Sequence, residues 1–203
     1  VAKESGAERL VGVQHHHAHI AAVMAEHGVT TPVLGVAYDG TGYGEDGAVW
    51  GAELLLADLT GFKRLAHLRY VPLPGGDLAA RRLWRIVLGY CTLNPMARPY
   101  FSAAFEGVDP AELAVAERQL ETGLNAPKAS SMGRLFDAAA AILGVRRVAS
   151  YEGQAAMELE ALAGFRPAAE YPSAIHDDDA GGWEIDPLPL LTQLGLRRAK
   201  GYD

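Results

Sequence analysis

The sequence predicts an α/β or α+β fold: a β-rich first part followed by helices. Three observations support this. Apolar runs of strand length crowd residues 10–71. Beyond Asp77 the apolar residues recur at helical spacing instead. Proline and glycine pairs stand where one pattern gives way to the other. A chain of 203 residues is enough for one sizeable domain or two small lobes.

Each element has its own signal. Leu10 to Val13, Val33 to Tyr38 and Ala48 to Leu56 read as strands. Between the first two, His17 to Glu26 reads as a helix with Ile20, Val23 and Met24 on one face and Gly28 as its left-handed cap. Phe62 to Val71 reads as a further strand, halted by Pro72, Pro74 and Gly75-Gly76. Leu78 to Tyr90 opens the helical part, with Leu83, Ile86, Val87 and Tyr90 along one side. Asp109-Pro110 is an N-cap followed by proline at the first helical position, starting a helix that runs to about Gly123. Met132 to Leu143, stopped by Gly144, and Gln154 to Leu162 are two more. Tyr171 to Pro189, with Asp177-Asp178-Asp179, reads as solvated loop, and Leu190 to Asp203 carries no clear ending signal. The chain thus divides into a β-rich lobe at 1–76, a helical portion at 77–170 and a loop-like tail at 171–203.

Composition narrows the partners. Apolar residues make up 49% and charged ones 21%, the balance of an ordinary globular chain. The net charge of -7 and the lack of a basic run leave no electrostatic footprint for nucleic acid or an anionic membrane. The single cysteine, Cys91, excludes an internal disulfide and a Cys-x-x-Cys pair. No apolar stretch is long enough to span a bilayer, and the first residues lack a signal-peptide profile. A cytoplasmic protein is the expectation.

Chemistry concentrates in His15-His16-His17-Ala18-His19, which holds four of the seven histidines. His15 and His19 are four apart, so on a helix they share a face and can bind one cation through neutral imidazoles. That spacing also belongs to zinc peptidases, but His16 stands where their glutamate base is needed, so peptidase chemistry is disfavoured. One or two of the four are packed or solvated histidines of the helix start. Two imidazoles and a carboxylate suit zinc and iron alike.

The second feature is the run from Asp39 to Gly47, Asp-Gly-Thr-Gly-Tyr-Gly-Glu-Asp-Gly, set between two strands. It lacks the lysine of a Walker loop and the following helix of a Rossmann turn. A glycine-rich hairpin with a concave nest of N–H groups, able to hold phosphate, is the expectation, with Asp39 at the strand end placed for a metal. The plain alternative is a decorated turn. A third, weaker feature is Ser131 to Asp137. There Gly133 opens a helix to close approach, and Asp137, one turn on, is placed to accept from ribose hydroxyls. Glu152 in the Tyr151 to Gln154 turn is weaker still, and Cys91 reads as core, with no base beside it.

In order, Val13-Gln14-His15-His16-His17-Ala18-His19, Met24 to Gly28, Asp39 to Gly44 and Val71 to Asp77 resemble the HypF carbamoyltransferases of [NiFe]-hydrogenase maturation, with further likeness over 131–158. The likeness is to their C-terminal Kae1-like domain, of the actin/hexokinase/Hsp70-like (ASKHA) superfold. It implies an α/β Kae1-like lobe with a helical portion and an incomplete second lobe. It also implies His15, His19 and Asp39 as ligands of a divalent metal, zinc or iron. Gly40, Gly42 and Gly44 would line the phosphate site, and Gly133 and Asp137 would face the nucleoside. The implied reaction moves a carbamoyl group from carbamoyl-adenylate, made from ATP by a YrdC-like domain of the parent chain, to the C-terminal cysteine of HypE. The missing lobe would supply a further aspartate ligand.

Three alternatives stay open. A related Kae1/TsaD enzyme puts threonylcarbamoyl on tRNA, and a related O-carbamoyltransferase acts on hydroxyls. The tRNA enzymes are disfavoured, because they resemble one another in a His-x-Glu-Gly-His motif that this chain lacks. An ATPase or sugar kinase of the superfold would not need the paired histidines. A non-catalytic metal- or nucleotide-binding fragment would keep the core and lose the reaction.

Overall fold

The computed structural model describes residues 11–163, 170–179 and 181–201. Helix α1 (His15–Glu26) precedes strands β1 (Val33–Tyr43), β2 (Val49–Ala57), β3 (Phe62–Leu68) and β4 (Val71–Pro72). Helix α2 (Trp84–Leu93), a 3-10 segment (Pro95–Phe105) and α3 (Pro110–Thr122) follow, then β5 (Lys128–Ala129), α4 (Met132–Leu143) and α5 (Gln154–Ala163). The hairpin β6 (Ala174–Asp178) and β7 (Gly182–Asp186) and helix α6 (Leu188–Ala199) complete the order.

The seven strands form one mixed sheet in the order β4-β5-β2-β3-β7-β6, with β1 against the other side of β2. Antiparallel β1 and β2 pair from Val33 opposite Ala57 to Tyr43 opposite Val49. Their register slips between Tyr38 and Gly42, so the strand bulges at Asp39. A bulge twists a strand and re-aims a side chain; here the side chain is Asp39. On one face, α1 places Ile20 and Met24 over Ala37, Leu55 and Ala57. The larger core lies among α2, α4 and α6, where Leu83, Ile86, Tyr90, Phe101, Ile142 and Leu191 are buried.

Several expectations shift. Helix α1 begins at His15, two residues before the predicted start, because the Gln14 side chain caps it by accepting from the His17 N–H at 2.9 Å. That brings all four histidines onto the helix. The strand expected at Leu10 to Val13 does not form over 11–14, which are irregular and place Val11 and Val13 in solvent; Leu10 lies outside the described residues. The helix expected from Leu78 starts at Trp84. Gly75 and Gly76 take positive φ, 3-10 geometry follows, and the Leu83 N–H is held by the Arg147 carbonyl at 2.9 Å.

The largest difference concerns Tyr171 to Pro189. It holds the β6–β7 hairpin, turned at Gly181 with φ +90, and β7 pairs in parallel with β3. Asp177 and Asp178 are strand residues here. Acidic residues mask the alternation, and the parallel partner lies far away in sequence. Leu190 onwards belongs to α6, which buries Leu188 and Leu191.

Candidate metal and nucleotide site

The site begins with the helical spacing of His15 and His19. Both imidazoles project from α1 toward the bulge in β1, and their Nε2 atoms lie 3.1 Å apart. Asp39 Oδ2 lies 2.9 Å from His15 Nε2. All three ligand atoms fall within 4.8 Å of one another. Ligand atoms about 2.1 Å from one ion and 3 Å apart subtend about 90°, so the spacing fits a shared divalent cation. The His15 and Asp39 side chains are 48% and 27% exposed, which leaves one flank open to a further ligand, as catalytic metal sites require.

Asp39 is anchored on its other oxygen. Oδ1 accepts from the N–H groups of Gly40, at 2.6 Å, and Thr41, at 3.4 Å. Burial works against its charge. The Thr41 and Gly40 N–H groups and His15 together outweigh that, so the carboxyl titrates below the usual range and stays ionised.

The remaining two histidines are buried. His17 Nε2 lies 2.7 Å from the Asp58 carbonyl, and its ring tilts over Phe62. His16 is fully enclosed, and its Nε2 points toward Asp39 Oδ2 at 3.7 Å. Burial lowers the His16 pKa against the pull of Glu53 and Asp39, so this ring is neutral.

The glycines work differently from a phosphate nest. Gly40, Gly42 and Gly44 are absent from the residues with positive φ, and the first two lie within β1. The Gly40 N–H is taken by Asp39 and the Gly44 N–H by the Ala48 carbonyl, at 2.9 Å. What these positions supply is room. A Cβ on Gly42 would lie 2.4 Å from His16 Cε1, and one on Gly44 would lie 2.3 Å from the Trp50 ring. A Cβ on Gly40 would meet Glu152 Oε1 at 3.1 Å and Arg134 Nη2 at 3.7 Å.

Helix α4 closes the other side. Its N-cap Ser131 accepts from the Arg134 N–H at 3.1 Å and donates to the Gly40 carbonyl at 2.7 Å, fastening the helix start to the bulge. The positive end of the helix dipole therefore sits beside Asp39 and Gly40. Arg134 and Asp137 form a buried pair, Nη1 to Oδ2 at 3.1 Å, yet Arg134 Nε and Asp137 Oδ2 have no hydrogen-bond partner. Burial, opposed by Arg134 and helped by Glu152, pushes the Asp137 carboxyl up to about 6.

A polar frame carries the hairpin. Buried Glu53 accepts from Arg64 Nε at 2.7 Å, Ser130 Oγ at 2.6 Å and the Gly51 N–H at 3.0 Å. Arg64 lies 3.9 Å over the Trp50 ring and donates to Tyr70, which hydrogen-bonds Asp46 in the β1–β2 turn. Thus the structure brings together His15, His19 and Asp39 on one side and Gly133 and Asp137 on the other, with Gly40 between. Sequence reasoning missed His16, Arg134 and Glu53. A glutamate inside the apolar run Ala52 to Leu56 was the one readable signal among them.

Comparison with known proteins places the chain in a family. Residues 35–203 match the model of the carbamoyltransferase, Kae1-like domain, second subdomain. The chain is 52% identical over 170 residues to carbamoyltransferase HypF2 of Cupriavidus necator, covering 81% of this chain and 20% of that protein. It is 44% identical over 191 residues to a carbamoyltransferase HypF homolog of the same organism, covering 92% of this chain and 46% of that protein. A crystal structure of full-length HypF in the phosphate- and nucleotide-bound form superposes with a TM-score of 0.89 at 45% identity, covering 98% of this chain and 26% of that one. The chain therefore spans less than half the length of these relatives. Among the described residues no helix is long and apolar enough to cross a membrane. The chain belongs to the HypF carbamoyltransferase family and carries the second subdomain of its Kae1-like domain.

Proposed function

We propose that this chain supplies the metal- and nucleotide-facing half of a carbamoyl-transfer site, acting on carbamoyl-adenylate with a cysteine thiol of HypE as acceptor. The observation that carries this reading is the convergence of His15 Nε2, His19 Nε2 and Asp39 Oδ2 beside the start of α4. That a full-length relative is solved in a phosphate- and nucleotide-bound form supports a nucleotide as ligand of the parent protein. The family's carbamoyltransferase name supports the group transferred.

His15, His19 and Asp39 would hold a divalent cation, zinc or iron; when bound it supplies Lewis-acid polarisation of a carbonyl or phosphoryl oxygen. The chain's own groups do the rest. The α4 N-terminus stabilises negative charge on the nucleotide phosphate. Gly40, Gly42 and Gly44 let Arg134, His16 and Trp50 close against the backbone beside the site. Gly133 would let the helix start come close to the nucleotide, with Asp137 buried one turn behind it. In the reaction the acceptor sulfur bonds to the carbamoyl carbon, the carbon–oxygen bond to phosphate breaks, and adenylate departs with that electron pair. The thiol proton goes to solvent. Cys91 cannot serve as acceptor, since it is buried and its thiol is pushed up to about 11. The YrdC-like domain of the parent protein would make the carbamoyl-adenylate.

The test has two arms. Elemental analysis of the untagged chain should find about one zinc or iron, lost in a His15→Ala/His19→Ala double variant. The full-length parent, given labelled carbamoyl phosphate and ATP, should label a HypE C-terminal peptide and leave tRNA unlabelled. Label on tRNA would overturn the acceptor assignment, and a metal-free parent would overturn the metal site.

A further inference from the structure

The fully buried His16, the second residue of the histidine run, has no role in the site as described so far. Its Nε2 is one of the few buried side-chain atoms without a hydrogen-bond partner. Leaving a buried polar atom without a partner is costly, so its persistence calls for a reason.

Hydrogen-bond accounting fixes where its proton sits. The Gln14 amide uses its oxygen to accept from the His17 N–H at 2.9 Å. Its nitrogen lies 3.1 Å from the Tyr43 carbonyl, which can only accept. Both contacts require the same orientation of the amide. The same nitrogen lies 3.1 Å from His16 Nδ1. An amide NH2 only donates, so Nδ1 must be the bare nitrogen of the ring and the proton must lie on Nε2. That N–H faces Asp39 Oδ2 at 3.7 Å.

The ring is fixed in this pose. Gly42 packs flush against it, and any side chain there would collide with Cε1 and Nε2. Trp50 stands at 6.2 Å between ring centroids. His15, on the solvent side of the carboxylate, approaches the same Oδ2. The carboxylate thus has its Oδ1 tied to backbone N–H groups, His15 on one flank of Oδ2, and the His16 N–H on the buried flank.

We infer that His16 is a positioning residue: its Nε2–H, set by Gln14, orients the Asp39 carboxylate toward the cation that His15 and His19 share. This rests on the metal reading of the site. Partners of this kind hold a ligating carboxylate in one orientation, and their loss weakens metal affinity about 10–100-fold. His16 itself touches neither metal nor substrate.

Two measurements on the 203-residue chain test this. In the first, 15N-histidine NMR without metal should show His16 protonated at Nε2. A proton on Nδ1 overturns the proposal. In the second, Zn2+ affinity is measured by competition with a chromophoric chelator, with melting temperature followed in parallel. His16→Leu should lose 10–100-fold in affinity while remaining folded. His16→Gln, which keeps a donor at a similar reach, should stay within several-fold of the unaltered chain. If His16→Leu is folded and binds Zn2+ as tightly as the unaltered chain, the proposal fails. If both variants lose affinity equally, the ring acts by packing and the proposal also fails. An unaltered chain that takes up no Zn2+, beside a full-length parent that is also metal-free, refutes the metal reading, and the NMR still decides whether the His16 proton faces Asp39.

Discussion

Gly133, in the first turn of α4, rests against Gly40 in the β1 bulge so closely that a Cβ on it would lie 2.8 Å from Gly40 Cα. Helix propensity alone would make Gly133→Ala stabilising by about 0.5–1 kcal/mol. The contact reverses that sign, because the obstacle is backbone. We expect Gly133→Ala to destabilise by about 1–3 kcal/mol, seen as a lower urea midpoint, and to weaken ATP binding by calorimetry. A stabilised variant would show that α4 is free to move away from β1.

Glu53 is buried, and among the described residues Arg64 is its one salt-bridge partner, Nη2 to Oε2 at 2.6 Å. Arg64→Met leaves that carboxylate uncompensated, and we expect a loss of about 3–5 kcal/mol. The Glu53→Gln/Arg64→Met double variant should lose less than the Arg64 change alone. Equal losses in urea denaturation would mean that Arg64 acts through its stacking on Trp50 and not through charge.

The raised carboxyl of Asp137, at about 6, gives a pH signature. The folded chain holds this proton up to about pH 6, whereas an unfolded aspartate releases it near 4. Across that window the folded state binds more protons, so this group makes stability fall as pH rises, by up to about 3 kcal/mol in all. His16, whose pKa is lowered, acts in the opposite sense as pH rises toward 6.5. The difference between the unaltered chain and Asp137→Asn isolates the first effect. Denaturation curves from pH 4 to 7 should show that difference shrinking steadily, and a flat difference would contradict the burial of the carboxyl.

Cys91 lies inside the core of α2 with its thiol pushed up to about 11. Thiolate is the reactive form, so a chromogenic disulfide reagent at pH 8 should label the native chain very slowly and the urea-unfolded chain at once. Rapid native labelling would reopen Cys91 as a nucleophile.

Where local chemistry decided the outcome, the sequence was readable. Asp109-Pro110 capped α3, Gly123 and Gly144 ended α3 and α4, and the His15–His19 spacing with Asp39 marked three side chains that converge. Long-range pairing was not readable. β6 and β7 became strands because β3 offers them a ladder, and no residue near Asp177 signals that. Gly40 to Gly44 were expected to cup phosphate with their N–H groups, whereas their observed role is to let His16, Trp50 and Arg134 approach closely. Spacing along a chain cannot distinguish these two uses of glycine. His16 was passed over for the same reason, since its significance depends on Gln14 and Asp39 lying on either side of it.

The parallel pairing of β3 with β7 sets Ala66 beside Trp183 and Leu68 beside Ile185, and Arg69 reaches Asp186 across 117 positions. Such a ladder cannot close as soon as β3 is made, because its other rail follows more than a hundred residues later. A nascent chain that has not yet reached Gly182 carries β3 with one edge unsatisfied. Distant pairings of this kind slow folding, since the loop must be closed before any contact rewards it. The three converging side chains are free of that delay. His15, His19 and Asp39 lie on α1 and β1, consecutive elements that meet without help from β7. The part of the molecule that would grip a cation is thus encoded to gather on the ribosome well before the sheet beneath it is finished.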